Sequence, residues 1–189
     1  MLTHREALEV VAAVRGEQVV ITTMGSMGIW PAISDSPLDF AFVPSSMGQG
    51  ISLGLGLALA QPARGVIAIT GDGSLLMNLE ALVTVVNQPA PLHVVLMDNG
   101  LYEVTGGQPT PGSRRTDFAG LARAAGIPRV FQFDALTEWK DCAGETLHGP
   151  DPSFIWLQVD RQPGPPPPPP SRSMVEQISR LRTSLGIAS

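Results

Sequence analysis

Short apolar runs alternate with amphipathic stretches along most of the chain. Six runs have the length and β-branched content of buried strands: residues 18–23, 40–43, 66–70, 92–97, 129–133 and 153–159. Six stretches have apolar residues at helical spacing: residues 3–14, 47–61, 74–87, 116–125, 134–146 and 174–185. The alternation predicts an α/β fold with a doubly wound, mainly parallel sheet of about six strands and helices on both faces.

Two of the predicted strands end in polar turns, Gly71-Asp72-Gly73-Ser74 and Asp98-Asn99. Because the carboxyl ends of parallel strands meet at one edge of a sheet, the two turns are expected to lie together. Asp72 and Asn99 are 27 residues apart, which leaves room for one helix between them. Their oxygens suit Mg²⁺, and a following helix amino terminus attracts anions. Each tripeptide alone is a common turn, but the pair predicts a magnesium–diphosphate site.

The composition narrows the class of protein. The net charge is −5 without long charged runs, which argues against nonspecific nucleic-acid binding. One cysteine, Cys142, excludes an internal disulfide. The amino terminus lacks an apolar signal core, and the most apolar stretch, residues 51–60, is too short to span a bilayer. We therefore predict a cytoplasmic protein that binds neither nucleic acid nor membrane.

Glycine and proline mark three further segments. Residues 24–28 are predicted to form a turn and residues 30–39 a loop, and the Gly/Pro-rich loop at residues 99–113 has the length of a functional loop. Four glycines on the helix at residues 47–61 indicate close backbone approach to another element or to a ligand. Tight helix packing is an equal alternative for two of them, Gly54 and Gly56.

The carboxyl-terminal part begins with six consecutive prolines, residues 165–170, which predict an extended polyproline segment. We divide the chain into a domain at residues 1–162 and a tail at residues 163–189 that holds this spacer and the last helix. The spacer is predicted to carry that helix to a distant surface, of this chain or of another. A ligand for an SH3-type domain is the alternative.

The paired turns resemble the diphosphate-binding domain of the thiamine-diphosphate enzyme superfamily, which carries Gly-Asp-Gly, then about 25 residues, then Asn. The resemblance covers residues 17–159. It implies that the side chains of Asp72 and Asn99 and the carbonyl of Leu101 bind Mg²⁺. It implies a further set of contacts to thiamine diphosphate: Gly25, Ser26, Gly71, Gly73 and Ser74.

The same resemblance assigns residues around the organic part of the cofactor. Met47 matches the apolar residue that forces the cofactor into its V shape, and the carbonyl of Ser45 matches the acceptor for the aminopyrimidine. Many relatives have Gly at the position of Ser45. Tyr102 either touches the cofactor or covers the loop.

The string Thr105-Gly106-Gly107-Gln108-Pro109-Thr110 after Asp98-Asn99 resembles a loop of phosphonopyruvate and sulfopyruvate decarboxylases. A related Thr-Gly-Gly-Gln occurs in the beta subunits of 2-oxoacid:ferredoxin oxidoreductases, but those usually carry cysteines for an iron–sulfur cluster. The resemblance implies catalytic roles for Met47, Thr105 and Gln108. A sulfonate or phosphonate would also need a cation, for which Arg114 and Arg115 are candidates; solvated loop charges are the alternative reading of both.

The superfamily also implies a partner. Its cofactor is activated by a Glu from a pyrimidine-binding domain, and the residues before Gly16 are too few to hold one. We expect an alpha-type partner subunit, a small 2-oxoacid substrate, and release of CO₂ and an aldehyde. The alternatives are carboligation or oxidation with the same cofactor, and a noncatalytic module that binds thiamine diphosphate. Of the histidines, His93 is predicted to lie in the core and His4 and His148 at exposed ends.

Overall fold

The computed structural model describes residues 2–42, 47–113, 115–161, 168 and 170–187. Its main sheet consists of six strands: β1 (Val19–Thr22), β2 (Asp39–Ala41), β3 (Val66–Gly71), β4 (Leu92–Asp98), β7 (Arg129–Phe133) and β8 (Ser153–Gln158), while β5 (Leu101–Tyr102) and β6 (Gln108–Pro109) form a separate antiparallel hairpin. The order is β2-β1-β3-β4-β8-β7, and every neighbouring pair is parallel. The predicted parallel sheet of about six strands is confirmed.

Helices cover both faces of this sheet. They are α1 (His4–Val14), α2 (Met24–Ile29), α3 (Gly50–Ala60), α4 (Asp72–Leu76), α5 (Ala81–Asn87), α6 (Phe118–Ala125), α7 (Leu136–Thr146) and α8 (Met174–Ser184). One apolar core lies between the sheet and α3, α5 and α6, and a second lies between the sheet and α1, α2 and α7. The doubly wound arrangement is therefore the predicted one. No described helix has the length and apolar character that crossing a membrane requires.

The first helix shows how the local sequence sets an element boundary. The Thr3 side chain accepts the backbone N–H of Glu6 and so caps α1. The Glu6 carboxylate accepts the backbone N–H of Thr3, which completes the predicted capping box. Farther along, Trp139 of α7 donates from Nε1 to the carbonyl of Ala7 over 3.1 Å. This contact fixes α1 against α7 on one face of the sheet.

Several predicted boundaries were wrong because tertiary contacts override local signals. The turn predicted at residues 24–28 is helix α2, where burial of Ile29 and Trp30 offsets the cost of two glycines. Part of the loop predicted at residues 30–39 is a 3₁₀ turn, Trp30–Ala32. The helix predicted at residues 74–87 is two helices, α4 and α5, because Asn78 between them turns away to bond another loop.

One further boundary, the start of α6, lies at Phe118 and not at residue 116. Helix α6 is capped by Asp117, whose Oδ1 accepts from the N–H of Gly120 at 2.7 Å, and not by Thr116, whose hydroxyl donates to the carbonyl of Gly112.

The two glycines of α3 for which tight packing was an alternative differ. Gly54 packs tightly on the sheet, since an added Cβ would lie 2.9 Å from Leu92 Cδ1. Gly56 has open space around it, so neither predicted reason for a glycine applies there.

The last helix packs against its own domain. The side-chain oxygen of Gln177 accepts the N–H of Ala41 on edge strand β2 at 2.8 Å, and Arg172 and Arg180 both pair with Asp35. The predicted transfer of this helix to a distant surface is wrong, because α8 supplies an acceptor that the sheet edge lacks. Of the polyproline segment, only residues 168 and 170 are among the described residues, and the division of the chain at residue 162 stays a prediction.

Candidate active site

The carboxyl ends of β1, β3 and β4 meet at one edge of the sheet and border a pocket. The turns after these strands, the β5–β6 hairpin and the start of α1 form its walls. Most of the residues predicted for the site line this pocket: Gly25, Ser26, Met47, Gly71, Asp72, Gly73, Ser74, Asn99, Leu101, Tyr102 and Thr105. The topology thus brings together side chains that are far apart in the sequence.

A few predicted residues are not brought into the pocket. Gln108 lies exposed on β6 and does not line it, and Arg115 is exposed as well. Ser45 and Arg114 lie outside the described residues. The catalytic role predicted for Gln108 therefore has less support than the role of Thr105.

Asp72 is the buried charge of the pocket. It begins α4 and is 2 % exposed, and its Oδ2 accepts the hydroxyl of Thr110 over 2.7 Å. Burial raises the pKa of the Asp72 carboxyl to about 6, and the nearby Asp98 carboxylate adds to the rise. No cationic side chain among the described residues pairs with Asp72. A bound cation would compensate this buried carboxylate.

The turn after β4 is held in one conformation by its own side chains. Asn99 Oδ1 accepts the N–H of Leu101 at 2.9 Å, and Asp98 accepts from the N–H of Gly100 and from Trp156 Nε1. The amide oxygen of Asn99 is thereby fixed beside the backbone of Leu101. The turn therefore carries two of the predicted metal ligands, the side-chain oxygen of Asn99 and the carbonyl oxygen of Leu101.

The hairpin leaves the Leu101 carbonyl unused. Thr110 donates its N–H to the carbonyl of Gly100 at 3.0 Å, so the next pair, Leu101 and Pro109, is a non-hydrogen-bonded pair of the ladder. The N–H and C=O of Leu101 both point away from Pro109, toward the side on which Asn99 Oδ1 lies. The carbonyl of Leu101 is therefore available as a ligand.

The oxygens of Asp72, Asn99 and Leu101 fit a hard cation that also binds oxygens of a second molecule. The chain offers one carboxylate oxygen, one amide oxygen and one backbone carbonyl, which suit Mg²⁺. The described residues contain no group of three or more His, Cys, Asp or Glu side chains that could hold a metal. The remaining coordination positions need oxygens from outside the chain, such as those of a diphosphate and water.

Gly73 brings the hairpin against the first turn of α4. A Cβ on Gly73 would overlap the ring of Tyr102 and lie 3.0 Å from Thr110 Cγ2. Tyr102 also lines the pocket, so it both covers this turn and faces the site. Only glycine permits this approach of the two loops.

Ser74 holds a third loop. Its Oγ accepts the N–H of Gly48 at 2.8 Å, and Asn78 Nδ2 donates to the Gly48 carbonyl at 2.9 Å. These bonds place half-buried Met47 at the pocket wall. The hydroxyl proton of Ser74 is left to donate to a ligand. The loop contact joins residues 26 positions apart, and no local sequence signal indicates it.

His4 was predicted at an exposed end, and this is wrong. It is 6 % exposed, lines the pocket, and its Nε2 lies 2.9 Å from Ser26 Oγ. Burial lowers the pKa of His4 to about 4, so the ring is neutral near pH 7. Leu2, which bridges to Val159 beside β8, draws the start of α1 into the sheet edge. A histidine directly after a cap gives no sequence signal of this burial.

Five other residues that line the pocket were not predicted: Thr23, Met24, Met97, Glu103 and Val104. Glu103 lines the pocket from the hairpin, and Met24 lines it from the start of α2. Met24 is, among the described non-glycine residues, the one with a positive φ, +50°. Backbone strain of this kind is concentrated at functional sites. The tight passage from β1 into α2 is thus part of the site.

Comparisons with known proteins agree with this geometry. Residues 22–156 match the family model "Thiamine pyrophosphate enzyme, C-terminal TPP binding domain". The chain is 45 % identical over 113 residues to the sulfopyruvate decarboxylase subunit beta of Methanothermobacter thermautotrophicus, which covers 58 % of this chain and 60 % of that one. It is 34 % identical over 146 residues to the phosphonopyruvate decarboxylase of Streptomyces viridochromogenes, covering 77 % of this chain and 36 % of that one.

A solved structure shares the fold. The benzoylformate decarboxylase of Polynucleobacter necessarius superposes with a TM-score of 0.76 at 20 % identity, over 87 % of this chain and 34 % of that one. The matched region is therefore about a third of two larger enzymes and 60 % of the Methanothermobacter subunit.

Proposed function

Because the chain belongs to the thiamine pyrophosphate enzymes through their C-terminal TPP-binding domain, we propose that it is one subunit of a split 2-oxoacid decarboxylase. Its substrate is a 2-oxoacid like sulfopyruvate, and its products are CO₂ and an aldehyde. The subunit binds Mg²⁺ and the diphosphate of thiamine diphosphate. The similarity to a decarboxylase subunit beta supports the assignment, and the single free cysteine, Cys142, suits the cytoplasm in which we place it.

One observation carries the proposal: the buried Asp72 carboxylate shares a pocket with the turn that presents Asn99 and Leu101. Asp72, Asn99 Oδ1 and the Leu101 carbonyl would hold the metal, and the Ser74 hydroxyl would donate to the diphosphate. The thiazolium ring, when bound, supplies the electron sink for loss of CO₂ from a 2-oxoacid. Met47 lines the same pocket, where it would support the organic part of the cofactor and exclude water.

The activating Glu is assigned to an alpha-type partner subunit. The carboxylates that line the pocket from the described part of this chain are Asp72, which is given to the metal, and Glu103. Glu103 lies on the hairpin that follows Asn99, and its Oε2 would lie 3.9 Å from a Cβ on Gly25, a residue that we assign to the diphosphate. The apolar side chain of Val104 lines the pocket and is 43 % exposed, which supports a surface there that a partner covers.

A second anionic group on the substrate needs a cation. Arg161 follows β8 at the same edge of the sheet, and its Nη2 would lie 3.2 Å from a Cβ on Gly107 of the Thr105–Gln108 loop. Among the described residues its guanidinium has no hydrogen-bond or ion-pair partner. We assign sulfonate or phosphonate recognition to Arg161 ahead of Arg115, because Arg161 lies beside Gly107, whereas neither arginine lines the pocket wall itself.

The experiment is reconstitution with an alpha-type subunit that carries a pyrimidine-binding domain. CO₂ release is measured with sulfopyruvate, phosphonopyruvate and pyruvate, with thiamine diphosphate and Mg²⁺ present. We expect release from the mixture and none from either subunit alone. Absence of release from all three acids by a mixture that binds the cofactor would refute decarboxylation, and an acyloin product would identify a carboligase.

Two pairs of variants test where the activating carboxylate lies and which arginine binds the second anionic group of the substrate. Replacing the partner's activating Glu by Gln should lower kcat by about 100-fold or more, whereas Glu103→Gln should leave kcat within about tenfold. The reverse result would place the activating carboxylate on this chain. Arg161→Gln should raise KM for sulfopyruvate about tenfold and leave KM for pyruvate unchanged, with Arg115→Gln as the matched control. Equal effects on both acids would contradict the role of Arg161.

A further inference from the structure

Thr110 ends the hairpin and is buried beside the candidate metal site. It is 4 % exposed, and its hydroxyl donates to Asp72 Oδ2 at 2.7 Å across 38 residues of sequence. Its Cγ2 packs on the Gly73 turn, 3.0 Å from where a Cβ would stand. One side chain thus contacts the first metal-binding turn through both its polar and its apolar branch.

The backbone of the same residue contacts the second turn. The N–H of Thr110 donates to the carbonyl of Gly100 at 3.0 Å, and Gly100 lies between Asn99 and Leu101. The carbonyl of Thr110 in turn accepts the N–H of Ser113 at 3.0 Å, which closes the loop behind it. Thr110 is therefore joined by hydrogen bonds to both turns that present metal ligands.

This arrangement fixes the orientation of a ligand. A carboxylate on a short side chain rotates unless donors hold it. The Thr110 hydroxyl holds Asp72 Oδ2, and the backbone N–H groups of Gly73 and Asp72 also stabilise this carboxylate, so Thr110 is the donor that reaches it from the hairpin. Without the hydroxyl, Asp72 Oδ2 would lose the donor that comes from the hairpin. The two turns would then be joined by the backbone bond from Thr110 to Gly100 and by packing on Gly73, and no hydrogen bond from Thr110 would reach the ligand itself. The effect should appear in metal affinity more than in folding.

We propose that Thr110 is a positioning residue that aligns the Asp72 carboxylate and ties the Asp72 turn to the Asn99–Leu101 turn, so that both bind one divalent cation. This inference rests on the proposed function for the identity of the ligand. It adds to that function a residue that touches neither metal nor substrate, and it gives the last threonine of the Thr-Gly-Gly-Gln-Pro-Thr loop a role.

The test is a Mg²⁺ titration of the full chain at fixed thiamine diphosphate, followed by calorimetry. Thr110→Val keeps the shape of the side chain and removes the hydroxyl, and it should weaken apparent Mg²⁺ affinity at least about tenfold. Thr110→Ser keeps the hydroxyl and should restore affinity to within about threefold of the parent. Thr116→Val is the matched control, because the Thr116 hydroxyl bonds only the Gly112 carbonyl in the described structure.

Unchanged Mg²⁺ affinity in Thr110→Val, with a parent that binds normally, overturns the inference and leaves the proposed function standing. A parent that binds neither Mg²⁺ nor the cofactor counts against the proposed function instead. A cofactor-free measurement then decides on Thr110: urea midpoints are compared for Thr110→Val, Asp72→Asn and the double variant. Non-additive midpoint shifts support the coupling of the two residues, and additive shifts contradict it.

Discussion

Both ends of the sheet bury a histidine against a serine, yet only one of these pairs belongs to the candidate site. At the carboxyl end, His4 Nε2 lies 2.9 Å from Ser26 Oγ. At the amino end, His93 Nδ1 lies 2.8 Å from Ser153 Oγ, in the first rung between β4 and β8. Burial lowers the pKa of both rings to about 4. A perturbed pKa therefore does not distinguish the two ends.

The two histidine–serine pairs differ in the polar groups that surround them. The Ser153 hydroxyl donates onward to the backbone carbonyl of Thr146 at 2.8 Å, so the His93 pair ends in the backbone. The His4 pair borders a pocket that also contains a buried carboxylate and a free carbonyl. The second ring nitrogen of each histidine, His4 Nδ1 and His93 Nε2, is buried without a hydrogen-bond partner in the described structure, so an unpartnered nitrogen does not distinguish the two ends. The comparison teaches that the candidate site is marked by a buried carboxylate and a backbone carbonyl that lie at one pocket, and not by the histidine–serine pair alone.

The largest expected effect is on cofactor binding, and it comes from comparing one substitution at each end of the sheet, Asp72→Asn and His93→Gln. Asp72→Asn should weaken Mg²⁺-dependent binding of thiamine diphosphate by more than about 100-fold, because a ligand is lost, while stability stays equal or rises. His93→Gln should change stability and leave binding unchanged. Calorimetry and urea unfolding on both variants measure the two quantities. Weaker binding of thiamine diphosphate in His93→Gln would contradict the claim that only the carboxyl end of the sheet belongs to the site.

The second prediction concerns pH. The folded ring of His93 stays neutral down to about pH 4, whereas the unfolded ring takes a proton below about 6.5, so stability is full above pH 6.5 and falls as the pH drops toward 4. His93 accounts for roughly 3 kcal/mol of that fall in the free energy of unfolding. Urea unfolding between pH 4 and 7 should give a flatter curve for His93→Gln than for the parent. Parallel curves would show that His93 titrates normally.

The third prediction compares two glycines. A Cβ at Gly73 would overlap Tyr102, so Gly73→Ala should push the hairpin away and weaken cofactor binding about tenfold. Gly56 lies in α3 with open space around its Cα, so Gly56→Ala should raise the free energy of unfolding by about 1 kcal/mol. Calorimetry and thermal unfolding report the two results. Normal cofactor affinity in Gly73→Ala would mean that the hairpin packing does not shape the site.

The smallest effect is expected for His4→Gln. Loss of the ring weakens the hold on Ser26, which should lower cofactor affinity by roughly threefold to tenfold, the value of one hydrogen bond. His93→Gln again serves as the control in the same titration. If the two variants bind equally well, the His4 pair is as structural as the His93 pair.

The sequence was sufficient for the sheet and for the residues that follow its strands. Asp72 and Asn99 could be placed together because parallel topology brings strand ends to one edge, and hydrophobic periodicity located all six strands of the sheet. The resemblance then assigned Leu101 and Met47 to the same pocket, where the structure places them.

What the sequence did not reveal are contacts between distant segments. Nothing near His4 indicates that Leu2 pairs beside β8 and buries the start of α1. Nothing near Gln177 indicates that its amide serves the edge of β2. Such polar contacts depend on which backbone groups the fold leaves unpaired, and only the assembled structure shows that.

The most direct measurement of the central claim is calorimetric titration of the parent chain with thiamine diphosphate, with Mg²⁺ and again with excess chelator. In the proposed site Asp72, Asn99 and Leu101 would provide ligands for a cation that also binds the diphosphate. We predict saturable binding with Mg²⁺ and loss of binding with chelator, and inorganic pyrophosphate should compete. Binding of equal strength without a divalent cation would contradict the account.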